Sequence, residues 1–319
     1  MTMAGTEKFT RSRALKFLAG LIVLILLLLT VLTYPATGGT WQRTFSEYLH
    51  VPAFGIIAVC LLVMTPPHWA RRKRILVVAS LAVALSFLSE VAQIPTPRDA
   101  SLHDVIADLL GAAGFLAIAA VFSSSISVAK GRGRYLILLG IALVAWPLRP
   151  LATISAAYLE RNSTLPTLVS FDSKFGNAFF RLQNTDIKKT VHPATNSVSA
   201  EIRLKDGPWP GIIFHDLWPN WEPYSVLVIE IENPESESLP INIRVHDRAH
   251  RDGDEPYGDR FNRSVDLASG MQTIRVTLAD IQSAPTERQM NMTEIDGLVV
   301  FSTRQESGRT FVLHEIRLE

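Results

Sequence analysis

The first half of the chain is apolar in long runs, and the second half alternates apolar with polar positions. Residues 14–33 form a nearly solid stretch with an unbroken Leu/Ile/Val centre from Leu21 to Leu29. A helix crossing a bilayer core needs roughly 20 such residues. With no small-residue cleavage site behind it, this run reads as a retained helix rather than a signal peptide. Residues 75–94 and 102–122 are two further spans. Residues 48–65 make a shorter one, opened by Tyr48 and His50. Residues 135–156 are long enough but carry Pro147, Arg149 and Pro150, which a span tolerates where neighbouring helices or water satisfy the freed backbone groups. Beyond Pro166 the period becomes two. Ile241, Ile243 and Val245 alternate with Asn242, Arg244 and His246, and Ile274, Val276 and Leu278 alternate with Thr273, Arg275 and Thr277. Similar runs occur at 201–205, 226–232, 297–302 and 311–318, separated by Gly, Pro, Asn and Asp, which predicts an antiparallel sandwich. The expected architecture is a polytopic α-helical membrane domain of about five spans over residues 1–160. A linker follows over 161–166, and then an all-β antiparallel jelly-roll sandwich over 167–319.

Charge adds orientation. The 319 residues carry 31 Lys and Arg against 30 Asp and Glu, so the total is nearly neutral. The basic clusters sit beside apolar runs rather than on a soluble face, which gives nucleic acid no footing as a partner. Lys8, Arg11 and Arg13, then Arg71 to Arg74, then Lys130, Arg132 and Arg134 share one set of loops; the opposite set holds only Arg43 and Arg98. Lys and Arg are retained on the cytoplasmic side. The N-terminus is therefore expected inside. An odd number of spans then puts the sandwich outside, which in a bacterium means the periplasm or cell surface, with the helices in the inner (cytoplasmic) membrane. The single cysteine, Cys60, excludes an intrachain disulfide.

Polar residues within the spans carry the candidate chemistry, since a charge near the bilayer centre costs roughly 2.5–3.5 kcal/mol. Glu90 lies roughly 22 Å along its helix, and Gln93 shares its face three residues on. His50 opens the second span. Asp104 and Asp108 lie at i and i+4 on the fourth, with Gly111 continuing that face and permitting close helix approach. Arg149 is roughly 21 Å into the fifth. Four of the spans thus place costly groups at one depth, which predicts an outward-facing polar pocket of His50, Glu90, Gln93, Arg98, Asp104, Asp108 and Arg149. Two roles stand side by side: binding a headgroup, or locking helices together by acid–Arg pairs. His50, Glu90, Asp104 and Asp108 also offer ligand types for a divalent metal that activates water. No Gly-x-Ser-x-Gly elbow, Gly-rich phosphate loop, Cys-x-x-Cys pair or His-Glu-x-x-His run supports catalysis.

The order of these motifs resembles the VanZ-like family of bacterial membrane proteins over residues 34–122. The carrying residues are His50 with Phe54, Ser89-Glu90-Val91-Ala92-Gln93, Arg98, Ser101-Leu102-His103-Asp104-Val105-Ile106-Ala107-Asp108, Gly111 and Gly114. Glu47 stands where a basic residue is usual, and Asp108 where Asn is usual. The resemblance implies a small polytopic protein connected with reduced susceptibility to glycopeptide antibiotics such as teicoplanin.

The second half resembles the galactose-binding-like jelly rolls found among carbohydrate-binding modules. The pieces are Phe171-Asp172, Trp209-Pro210-Gly211, Trp221-x-x-Tyr224, Val245-His246-Asp247, Tyr257-Gly258-Asp259-Arg260-Phe261 and the closing run from Phe311 to Leu318. A sugar binds where an aromatic face covers its C–H patches and polar groups take its hydroxyls. Trp209, Trp218, Trp221, Tyr224 and Tyr257 are the aromatic candidates; His246, Asp247, Arg248, Asp259 and Arg260 are the polar ones. The other role for these tryptophans is to cap the core, with the charges as a solvated rim. Asp172 and Glu315 are candidate ligands for a structural Ca²⁺; no other cofactor is required. The expected function is an envelope protein that binds a lipid or lipid-linked glycan headgroup from outside, with an outer domain suited to cell-wall or surface glycan. A membrane-embedded hydrolase or transferase of headgroups is the alternative. A third role is an anchor presenting a sugar- or protein-binding sandwich.

Overall fold

The computed structural model describes residues 3–32, 39–96, 100–122, 132–191 and 197–319, with the backbone alone at 3–11 and 132. Arg98 and Lys130 lie outside the described residues. The chain divides into two compact units, Met1–Ala152 and Thr153–Glu319.

The helices are α1 (Met3–Leu32), α2 (Thr40–Tyr48), α3 (His50–Met64), α4 (Arg71–Gln93), α5 (Leu102–Phe122), α6 (Arg132–Ala145) and α7 (Arg149–Ser163). Among the described residues, five stretches are long and apolar enough to cross a membrane: Ser12–Leu32, Thr40–Met64, Arg71–Gln93, Leu102–Phe122 and Gly133–Ser163. Their outward side chains, such as Leu24, Leu28, Leu81 and Ile141, remain exposed within the protein. Lipid is the solvent that makes such a surface favourable, and the chain is a membrane protein. The second span starts earlier than its apolar run because the amphipathic α2 precedes α3, with Leu49 between them. The fifth is interrupted as its prolines require. Pro147 has no N–H to donate, so α6 gives way to one 3-10 turn, Trp146–Leu148, before α7 resumes with Pro150 in its first turn. Helix α5 packs on α3, α4 and α6, and α1 on α3 and α4. A side chain at Gly111 would run into the Val51 carbonyl, so the α3 and α5 backbones approach closely only because this position is glycine.

Among the described residues eleven strands follow: β1 (Thr167–Ser170), β2 (Phe180–Gln183), β3 (Thr185–Val191), β4 (Val198–Leu204), β5 (Gly211–His215), β6 (Val226–Asn233), β7 (Leu239–Asp247), β8 (Phe261–Leu267), β9 (Gly270–Thr277), β10 (Ile295–Phe301) and β11 (Thr310–Leu318). Two short helices, α8 (Arg248–Asp252) and α9 (Leu278–Gln282), interrupt them. One sheet runs β3-β4-β11-β6-β9 with β1 also on β11, and the other runs β2-β5-β10-β7-β8. Every pairing is antiparallel. The alternating residues of both sheets, among them Ile202, Ile229, Ile243, Val300 and Leu313, close over one core, giving the jelly-roll sandwich. Strands β1, β2, β3, β5 and β8 carry little or no signal in the sequence. Three of them, β2, β3 and β8, are sheet edges, where one side meets water and charged residues such as Lys188 and Arg263 are tolerated. The expected linker at 161–166 is shorter in the structure, because residues 161–163 complete α7. The carboxylate of Glu160 there accepts a 2.8 Å hydrogen bond from the Ser173 hydroxyl.

Trp221 is fully buried in the sandwich core, its indole N–H donating to the Trp218 carbonyl at 2.8 Å. Trp221→Ala is expected to cost about 3–5 kcal/mol, while Trp209→Ala, at an exposed position, changes stability by about 0.5 kcal/mol or less. Chemical unfolding followed by near-ultraviolet circular dichroism measures both. Equal effects of the two substitutions would contradict this division of roles.

Candidate functional site

The helical unit gathers a polar cluster from α3, α4 and α5. Asp108 is fully buried: its Oδ1 lies 3.0 Å from His50 Nδ1, and its Oδ2 accepts from the Ser86 hydroxyl at 2.7 Å. Ser89 donates back to the Ser86 carbonyl. Glu90 Oε2 accepts from the Ser101 backbone N–H at 2.6 Å, whereas Glu90 Oε1 is buried with no donor. The Gln93 side-chain amide donates to the Thr30 carbonyl of α1 at 3.1 Å, and its Oε1 is likewise buried without a partner. Asp104 is buried one turn before Asp108, with His103 3.9 Å away. Ligand atoms of His50, Glu90 and Asp108 lie within 4.8 Å of one another, the one such grouping among the described residues. Arg149 is placed differently from the expectation. It is exposed, its guanidinium 4.7 Å over the Trp146 ring, and His50 is the basic group beside Asp108. Ser86 and Ser89 were not among the expected residues; their spacing along α4 puts them on the Glu90 and Gln93 face. A separate apolar crevice of about 690 Å³ in this unit is lined by Leu62, Trp69, Ala82, Ala112 and Leu116, with Arg71 and Arg74 also on its wall.

The sandwich sorts the expected sugar-binding residues by burial. Trp221 is core, so it has no face to offer a ligand, and Trp218 and Tyr224 are half-buried against that core. Asp247, expected as a polar contact, is fully buried and held by protein donors: both oxygens take the Arg288 guanidinium at 2.6 and 2.7 Å, and the backbone N–H groups of Asn291 and His250 donate as well. Asp259 takes the other edge of Arg288 at 2.6 and 2.8 Å and lies 3.4 Å from His250. Arg288 thus clamps β7 to the Tyr257–Asp259 turn, and the sequence gives no signal for it. His246 is buried with its ring against Gly297, where a side chain would collide with it. Arg248 is exposed, 3.6 Å from Glu294.

Trp209 and Tyr257 remain presented, at 60% and 72% exposure. Trp209 holds φ at +52°, a left-handed conformation costly for a bulky residue. Its loop is fixed by Gln183 and Asn184, whose side-chain amides donate to the Pro208 carbonyl, and its ring meets Phe301 edge-on at 6.0 Å. Phe301, Val299 and Ile213 share the outward face of the second sheet through the β5–β10 register. Val299 is buried yet lies outside the core between the sheets. Arg260 stacks on Tyr257 at 5.0 Å. The carboxylates of Asp172 and Glu315 are each engaged by the protein: Asp172 accepts from the Val198 N–H at 2.8 Å, and Glu315 from Thr167 at 2.9 Å and Arg317 at 3.0 Å.

Neither a protein-family model nor a curated protein sequence matches the chain. Among solved structures it is similar to an exo-β-agarase at 16% identity and a TM-score of 0.38, over 48% of this chain and 24% of that one. It is also similar to a family 11 carbohydrate-binding module from Clostridium thermocellum in complex with a β-1,3-1,4-mixed-linked tetrasaccharide. That match has 11% identity and a TM-score of 0.37, over 48% of this chain and 93% of the module. The arabinose-bound α-L-arabinofuranosidase MgGH51 matches at 12% and 0.35, over 48% and 25%. The chain thus spans about a quarter of the agarase's length.

Burial, with the neighbouring charges of Arg244, His250 and Arg260, pushes His246 down to about 3. Burial also lowers His250, against the pull of Asp259. Unfolded histidines bind a proton near pH 6.5. Between there and about pH 3 the unfolded chain therefore holds more protons, so folding stability falls on acidification. For Asp247 burial acts upward, but Arg288 and the Asn291 and His250 N–H groups outweigh it and the net shift is downward. Its contribution is present above the ordinary Asp range and is lost below it, as pH falls through the lowered folded value. The unfolding midpoint of the sandwich is expected to drop from pH 7 to pH 5, and His246→Asn to flatten that slope. An unchanged slope in the variant would remove His246 as its source.

Proposed function

We propose that this chain is a multi-pass protein of a bacterial envelope membrane that binds a lipid-linked or surface glycan, with the sandwich on the extracytoplasmic side. The observation that carries this reading is Trp209, an exposed indole held on strained backbone beside the apolar outward face of Ile213, Val299 and Phe301. Strain of this kind persists where surrounding structure enforces it, and it concentrates at ligand clamps. An exposed indole beside an apolar floor suits the C–H face of a sugar ring. The lopsided distribution of Lys and Arg among the loops supports the orientation. The VanZ-like motif order adds the expectation of altered teicoplanin susceptibility. Full-length protein in nanodiscs should be retained by at least one member of a polysaccharide panel. Trp209→Ala should weaken that retention roughly tenfold without shifting the unfolding midpoint. Retention by no glycan, or full retention by the variant, would sink this reading.

A second reading is favoured by the intramembrane cluster. Glu90 Oε1 is buried without a donor, beside His50 and Asp108. One imidazole nitrogen and two carboxylates would hold a divalent cation with a position left for water or a phosphate oxygen. The chain would then be a metal-dependent hydrolase or transferase of lipid headgroups. Elemental analysis of purified protein after incubation with Zn²⁺ or Mn²⁺ should give about one equivalent, lost in Glu90→Gln. No bound metal in the wild type would leave the cluster as a lock between helices.

A further inference from the structure

The outward face of the second sheet carries a set of cations that the fold does not neutralise. Arg181 pairs across β2–β5 with Ile213, Ile213 across β5–β10 with Val299, and Val299 across β10–β7 with Arg244. Directly opposed residues project from the same face, so the two arginines stand at either end of one row with an apolar floor between them. Arg260 joins the same face: it stands on extended backbone two residues before Asn262, which opposes Arg244 across β7–β8, and burial together with the like charges of Arg260 and Arg181 disfavours the charge on Arg244 against the pull of the exposed Glu255.

Arg244 and Arg260 are half-buried, and the Nε of each is buried with no hydrogen-bond partner. The other half-buried arginines at the Arg288 clamp and on the first sheet have carboxylate partners: Arg251 with Asp296, Arg288 with Asp247 and Asp259, Arg309 with Glu235, Arg317 with Glu230. A half-buried guanidinium facing like charges, with a donor unspent, raises the energy of the empty protein. An oxyanion supplies what is missing, since guanidinium binds it through paired N–H groups. Trp209 and the Ile213–Val299 floor stand ready for the ring that carries the anion.

We propose that this face binds an acidic glycan, with a carboxylate or sulfate of the sugar held by Arg244 and Arg260 and its ring lying toward Trp209. The proposal rests on the glycan-binding reading above and adds the charge of the ligand to it.

The test titrates full-length protein in nanodiscs with alginate, which offers uronate carboxylates, with λ-carrageenan, which offers sulfate esters, and with neutral mixed-linkage β-glucan. At least one acidic polymer should bind well above the neutral one, and the better of the two identifies the anion. Arg244→Gln and Arg260→Gln should each weaken that binding roughly tenfold or more. Neither should lower the unfolding midpoint, because each removes like-charge repulsion and no protein hydrogen bond. Lys188→Gln, on an edge strand of the other sheet, should leave binding unchanged. Neutral glucan binding as tightly as the acidic polymers, with both arginine variants unaffected, would overturn the acidic-ligand proposal while leaving glycan binding intact. A loss in Lys188→Gln equal to that in Arg244→Gln would mean diffuse attraction and also overturn it. Binding of none of the three polymers, nor of any panel glycan, would remove both.

Discussion

A polar group taken out of water costs free energy unless the protein returns its hydrogen bonds, and both units are arranged around that demand. In the helical unit the backbone satisfies itself, and the buried side chains do so in chains: Ser89 to the Ser86 carbonyl, Ser86 to Asp108, Asp108 with His50. Close approach of α3 and α5 at Gly111 is what brings His50 and Asp108 within reach. In the sandwich, Asp247 receives four donors and Arg288 spends its guanidinium on two carboxylates.

Among the described residues the atoms left out of this settlement are few, the ring nitrogens of His250 among them, and they cluster. Glu90 Oε1 and Gln93 Oε1 lie on one face of α4; Arg244 Nε, Arg260 Nε and His246 Nδ1 lie on the outward side of the second sheet or next to it. The Arg288 clamp fixes the turn that carries Tyr257 and the residue after it, Arg260. Rigidity is thus built from fully satisfied groups immediately beside unsatisfied ones. That is the arrangement a binding site needs, because donors held in place lose little further freedom when a ligand takes them.

Several parts of this were legible along the chain. Long apolar runs predicted the helices, and α5 has the bounds the run itself has, Leu102–Phe122. Alternation predicted β4, β6, β7, β9, β10 and β11, which are central or well patterned. The edge strands β2, β3 and β8 escaped because solvent on one side relaxes their pattern. The carboxylates of the membrane cluster stood out along the chain, since a carboxylate within an apolar run is costly wherever it points, whereas Ser86 and Ser89 carry no such cost and did not. Alternation even put Arg244 opposite in direction to Ile243 and Val245, although its lack of a partner could not be read there.

The sequence by itself determined which segments suit lipid and which suit a sheet, because hydrophobic periodicity acts over a few neighbouring residues. Tertiary structure alone decided which tryptophan is buried. Trp209 and Trp221 share similar Pro-rich surroundings, yet one fills the core and the other is 60% exposed. It also decided that Asp247 serves Arg288, 41 residues away, and that His50 meets Asp108, 58 residues away, while Arg149 stays beside Trp146. Such partnerships depend on helix packing and strand register, and neither is fixed by local pattern. A buried group takes whichever donor or acceptor the closed fold places within about 3 Å.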